Sequence, residues 1–229
     1  MINCIEAMDL EQINVPTFSG LALPLQASAD AWRLFSARKA DVNFKRFEDK
    51  ILVRDAYTCQ FCGFQARTYQ EIVNADGNFR NNKLDNLVTS CVFCAQCFFI
   101  ESVGLGGVGG GIIIYLPEIT QNQLNAMCHV LFCAITNNSG YKNIAQNIYL
   151  NLKLRSALIE KKFGEGTSDP ANLGYLLIDS QHLSEEKMNQ LISPIRILPS
   201  RAKFRTQIES WASSAINQVT SVSAVKEMK

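Results

Sequence analysis

The clearest helical pattern lies in the second half of the chain, where Leu124, Met127, Cys128, Leu131, Phe132 and Ile135 share one face behind Thr120, a good N-cap residue. Another helix is expected from Lys142 to Phe163, ending at Gly164. Ser168-Asp169-Pro170 is a start signal, because proline suits the first helical turn. Ser184 opens a short amphipathic helix with Met188, Leu191 and Ile192, and Ser200 opens a last one with Phe204, Ile208, Trp211 and Ile216 inward. In the first half, Asp41 precedes Phe44, Phe47, Ile51 and Leu52 at roughly helical spacing. Residues 1 to about 40 contain Pro16 and Pro24 and show no long period, so irregular structure is expected there.

Two stretches break the helical theme. A short hairpin about Gly63 and a loop through Asp76-Gly77-Asn78 are expected from residue types that favour turns. Ile112-Ile113-Ile114-Tyr115-Leu116 is short and rich in β-branched residues, which predicts a buried strand that Pro117 ends. The glycine run before it, residues 103–111, fits a dinucleotide fingerprint by letter at Gly104, Gly106 and Gly109. That fingerprint needs a strand before it and a helix after it. Here a strand follows, so a flexible loop or a close backbone crossing is the better reading.

Composition narrows the class. The chain has 229 residues, 47% of them apolar, enough for a real core. Lys+Arg 22 against Asp+Glu 21 predicts no general attraction to nucleic acid or anionic lipid. The segment Arg54–Cys97 repeats this balance, with Arg54, Arg67, Arg80 and Lys83 against Asp55, Glu71, Asp76 and Asp85. A nucleic-acid-cutting module is more often visibly basic. The first residues lack a basic region followed by an apolar one, and no long apolar run suggests a spanning helix. The expectation is a cytoplasmic protein, in which eight cysteines serve metal binding rather than disulfides.

Cys59-x-x-Cys62 and Cys91-x-x-Cys94 carry the candidate chemistry. Each turn aims two sulfurs at one point, and two turns complete a tetrahedron about zinc. Four protein thiolates leave no position for water, so the expected zinc is structural. Such a site contributes on the order of 10 kcal/mol or more to folding. Cys97 also fits a knuckle with Cys94 and is read as a packed thiol near the site, while Cys128, Cys133 and His129 fall in an apolar helical pattern and read as core. Phe98 and Phe99 read as core too. Arg201, Lys203 and Arg205 form a basic segment, read as a solvated helix face or as a patch for an acidic partner.

Between the knuckles, Asn74-Ala-Asp-Gly-Asn78 through Leu84-Asp-Asn-Leu87 resembles the core of HNH endonucleases, where a histidine commonly stands at the position of Asn74. A general base must accept a proton near neutral pH, which a neutral amide cannot do. No catalytic residue is therefore assigned, and the reading is non-enzymatic. The alternatives are an HNH-type endonuclease or nucleic-acid-binding protein with an unrecognised base, and a free-standing zinc interaction module.

Longer segments carry a second resemblance: Ala31–Lys39, Tyr57–Arg67, Cys94–Phe99, Cys128–Thr136, Lys162–Pro170 and Leu198–Arg205. Over about residues 31–212 the chain resembles the DotN (IcmJ) family of the Dot/Icm type IVB secretion system. That resemblance implies a zinc-containing scaffold subunit of a coupling complex. It would bind the cytoplasmic tail of the coupling ATPase DotL, in an assembly with DotM and the adaptors IcmS and IcmW, and help recruit effector proteins at the cytoplasmic face of the inner membrane. The expected fold is α+β within a single domain, 1–229: a zinc-stabilised HNH-like ββα core over residues 41–100, with helices over 119–220 packed on it.

Overall fold

The computed structural model describes residues 20–105, 108–180 and 182–227, with side chains excepted at 185 and 217–227. The expectation of irregular structure over residues 1–19 lies outside the described residues. Helix α1, Ala31–Ala40, corrects the expectation of irregular structure up to residue 40. Asp30 precedes it without a side-chain cap bond; that carboxylate instead accepts from Ser28 and pairs with Arg80. Helix α2, Val42–Arg54, starts where expected, and Asp41 accepts from Asn43 N–H at 2.8 Å. Phe47 lies on its open side rather than in the core.

Strands β1, Gln70–Asn74, and β2, Leu87–Cys91, pair antiparallel, with Gln70 opposite Cys91 and Asn74 opposite Leu87. One helical turn, α3 at Val92–Ala95, follows directly, so the ββα order is present with a very short helix. Two 3₁₀ turns, Gln96–Phe98 and Ile100–Ser102, lead to the glycine run. Gly109 has φ +47°, and a Cβ on Gly111 would stand 2.7 Å from the Leu198 carbonyl oxygen. The close backbone approach is therefore at Gly111, while at Gly109 the positive φ is what favours glycine.

Strand β3, Gly111–Tyr115, has a partner the sequence did not suggest: β4, Ile195–Pro199, antiparallel, with Ile113 opposite Ile197. Helix α4, Gln121–Thr136, carries a full capping box between Thr120 and Gln123. The expected helix 142–163 is divided at Arg155 into α5, Lys142–Leu154, and α6, Ser156–Phe163. At the break the Arg155 carbonyl accepts from Tyr115 N–H at 3.4 Å, and its guanidinium binds Glu118 at 2.7 Å. Helix α7, Pro170–Asp179, is capped by Asp169, and α8, Glu185–Ile192, by Ser184. Helix α9, Arg205–Glu227, begins one turn later than expected, since Ser200 opens the turn before it. Phe204, Ile208 and Trp211 are buried along α9, whereas Ile216 is exposed.

The protein is thus α+β, with nine helices and two small sheets among the described residues. Its main core is one continuous cluster, running from Leu23 and Phe35 through the four knuckle cysteines and Phe98 to Leu131, Ile197 and Trp211. Among the described residues no helix is long and apolar enough to cross a membrane.

Candidate metal centre

Both knuckles are held by backbone geometry. Cys59 N–H donates to the Phe64 carbonyl (2.9 Å) and Gly63 N–H to the Cys59 carbonyl (3.0 Å). Gly63 takes φ +75°, which few other residues tolerate, so the first pair of sulfurs is folded into a tight turn. Cys91 ends β2 and Cys94 lies in the α3 turn, so a strand-to-helix corner aims the second pair. All four sulfurs lie within 4.8 Å of one another, and all four residues are buried. Cys62 Sγ and Cys91 Sγ are 3.7 Å apart. A tetrahedron with zinc–sulfur bonds of about 2.3 Å has edges of about 3.8 Å. The Cys62–Cys91 separation matches that edge, and the four sulfurs could together hold a metal ion.

The electrostatics fit the same ion. Burial resists ionisation of all four thiols, yet hydrogen bonds from Cys62, Cys91 and Cys94 hold the Cys59 thiol well below the usual thiol range. Burial and the neighbouring Cys59 push Cys62 and Cys94 well up, and Cys91 up. A divalent cation at the centre of the cluster would supply the charge that lets all four thiols ionise. Cys97 stays outside the cluster. It is fully buried, donates to the Phe93 carbonyl at 3.5 Å, and burial raises its pKa.

Helix α4 adds a polar row that sequence reading missed. Gln121, Asn125 and His129 stand at i, i+4 and i+8 on its inner side, and all three are buried. Asn125 Nδ2 donates to Cys94 Sγ at 3.2 Å, and Gln121 Nε2 donates to Asn125 Oδ1 at 2.9 Å. His129 Nε2 is 3.3 Å from Cys91 Sγ. Its ring is stacked between Phe64 (3.6 Å) and Phe93 (4.3 Å). Burial lowers its pKa to about 3, so it is neutral. A metal-bound thiolate only accepts, so the proton then belongs on Nε2. Two N–H donors directed at sulfur would offset the excess negative charge of four thiolates on one zinc.

Asn74 lies elsewhere, at the end of β1, and is fully buried. Its amide nitrogen donates to the carbonyls of Asn78 (3.0 Å) and Asn81 (2.7 Å), and its oxygen accepts from Arg38 Nη1. Arg38 also donates to the Asn82 side chain (2.8 Å) and the Ile72 carbonyl (2.6 Å). Its guanidinium lies over the Phe44 ring at 4.8 Å. Burial lowers the Arg38 pKa to about 10, which leaves it charged at neutral pH. Asn86 and Asp76 close the loop around Asn74, through Asn86 Nδ2 to Asp76 Oδ1 at 2.9 Å. Both the amide nitrogen and the amide oxygen of Asn74 are thus engaged within the protein.

No protein-family model matches the chain. It is 61% identical over 212 residues to the type 4 apparatus protein DotN of Legionella pneumophila subsp. pneumophila (strain Philadelphia 1), a match covering 93% of this chain and 99% of that protein. With identity at that level across nearly the whole of both chains, this protein belongs to the family of DotN, a component of a type IV secretion apparatus.

Proposed function

We propose that the protein is a non-catalytic, zinc-containing scaffold subunit of a type IVB coupling complex. It acts at the cytoplasmic face of the inner membrane. There it binds the cytoplasmic tail of the coupling ATPase DotL, beside DotM and the IcmS and IcmW adaptors, and helps gather effector proteins. The observation that carries this reading is the 61% identity to DotN over 99% of that protein's length.

The site chemistry supports the same reading. Cys59, Cys62, Cys91 and Cys94 are the proposed zinc ligands, and with all four positions filled the metal holds structure together and activates no water. Asn74 cannot act as a base, and Arg38 fills the space beside it. The test is co-elution of the purified chain with the isolated DotL tail in size-exclusion chromatography, beside a plasmid-nicking assay with divalent cations. A stable complex and intact plasmid are expected. Nicking abolished by a substitution in the Asn74 loop would overturn the non-catalytic reading, and failure of the folded chain to bind the tail would overturn the scaffold reading.

A further inference from the structure

Helix α5 and the start of α9 enclose a cleft of about 670 Å³. Four cations line it, Lys142, Lys153, Arg201 and Arg205, against one carboxylate, Glu209. Among the described residues only Arg205 of the four is ion-paired, to Glu209 at 2.7 Å. Lys142 donates to the Asn138 side chain instead (2.9 Å). In a chain whose formal net charge is +1, this is a local concentration of positive charge. The two walls are tied together, because Tyr149 Oη donates to the Pro199 carbonyl (3.1 Å) and accepts from Arg201 N–H (3.4 Å).

The periodicity of α5 extends the surface. Lys142, Tyr149 and Lys153 stand at i, i+7 and i+11, so they share the face turned to the cleft. Leu150 and Leu154 form the next stripe around the helix, and they are 56% and 72% exposed. A cationic groove therefore runs beside an uncovered leucine stripe on one rigid helix. A flat lipid surface does not reach the walls of a concave cleft, and a free phosphate would leave the leucines uncovered. A chain segment with carboxylates on one face and apolar side chains on the next satisfies both stripes.

We propose that this cleft and its leucine border are a docking site for an acidic, amphipathic peptide segment. The inference goes beyond the scaffold reading and does not depend on it, because the occupant is defined by its chemistry alone.

The test uses the full, zinc-loaded chain and fluorescence anisotropy of a labelled synthetic peptide carrying Glu and Leu at helical spacing. Binding that weakens with salt is expected. The double charge reversal Lys153→Glu with Arg201→Glu should lower affinity about tenfold or more. Leu150→Ser should weaken binding without changing the salt dependence. Zinc content and circular dichroism check folding, and the neutral pair Lys153→Gln with Arg201→Gln replaces any reversal that fails to fold. Equal binding of the parent and substituted chains, or no binding of the acidic peptide, overturns the proposal. So does displacement of the peptide by inorganic phosphate alone, or binding of phosphatidylglycerol vesicles in its absence.

Discussion

Asn74 makes three hydrogen bonds within the protein, and a histidine at the same position could not make all of them. An imidazole has at most two ring nitrogens to set against two carbonyls and a guanidinium. Asn74→His should therefore destabilise the fold by about 1–3 kcal/mol, read from urea unfolding, and should not create plasmid nicking. A stable and active Asn74→His variant would show a nuclease site needing only its base. His129 invites a different substitution. His129→Phe keeps a ring between Phe64 and Phe93 but removes the ring nitrogen that lies 3.3 Å from Cys91 Sγ. Loss of such a partner typically weakens metal affinity by about 10–100-fold, so a chelator should take zinc from this variant sooner than from the parent chain. Unchanged zinc retention would mean that the contact is packing alone.

At the scale of elements, α7 depends on a glycine. A Cβ at Gly174 would lie 2.4 Å from the backbone N and Cα of Glu101, in the 3₁₀ turn on which the helix rests. Alanine would favour the helix by about 1 kcal/mol, but forcing two backbones apart costs about 1–3 kcal/mol. Gly174→Ala should lower the thermal midpoint, and an unchanged or raised midpoint would show that α7 can shift freely. Elements whose signals are local were legible in the sequence: the capped helices α2, α4, α7 and α8, and the Ile-rich strand β3. Strand β4 was not, because it exists by pairing with Gly111–Tyr115 some eighty residues earlier in the chain. The four cysteines could be read from spacing alone. Asn125 could not, since a polar residue in an amphipathic helix reads as solvent-facing until its sulfur partner, 31 residues upstream, is seen.

At the scale of the molecule, the cysteine cluster and the helices share one core. Cys59, Cys62, Cys91 and Cys94 sit in the same buried cluster as Phe93, Phe132 and Trp211, so the proposed metal centre would stabilise the packing of the C-terminal helices and be stabilised by it. Cys59→Ser should lose zinc and solubility together, as metal analysis of soluble and pelleted protein would show. A soluble, folded and zinc-free Cys59→Ser variant would contradict a structural metal. The central claim joins this metal to a scaffold role, and native mass spectrometry of the chain mixed with the isolated DotL tail tests both at once. The account predicts a one-to-one complex carrying one zinc ion. A folded chain that carries no metal, or a zinc-loaded chain that stays apart from the tail, would contradict it.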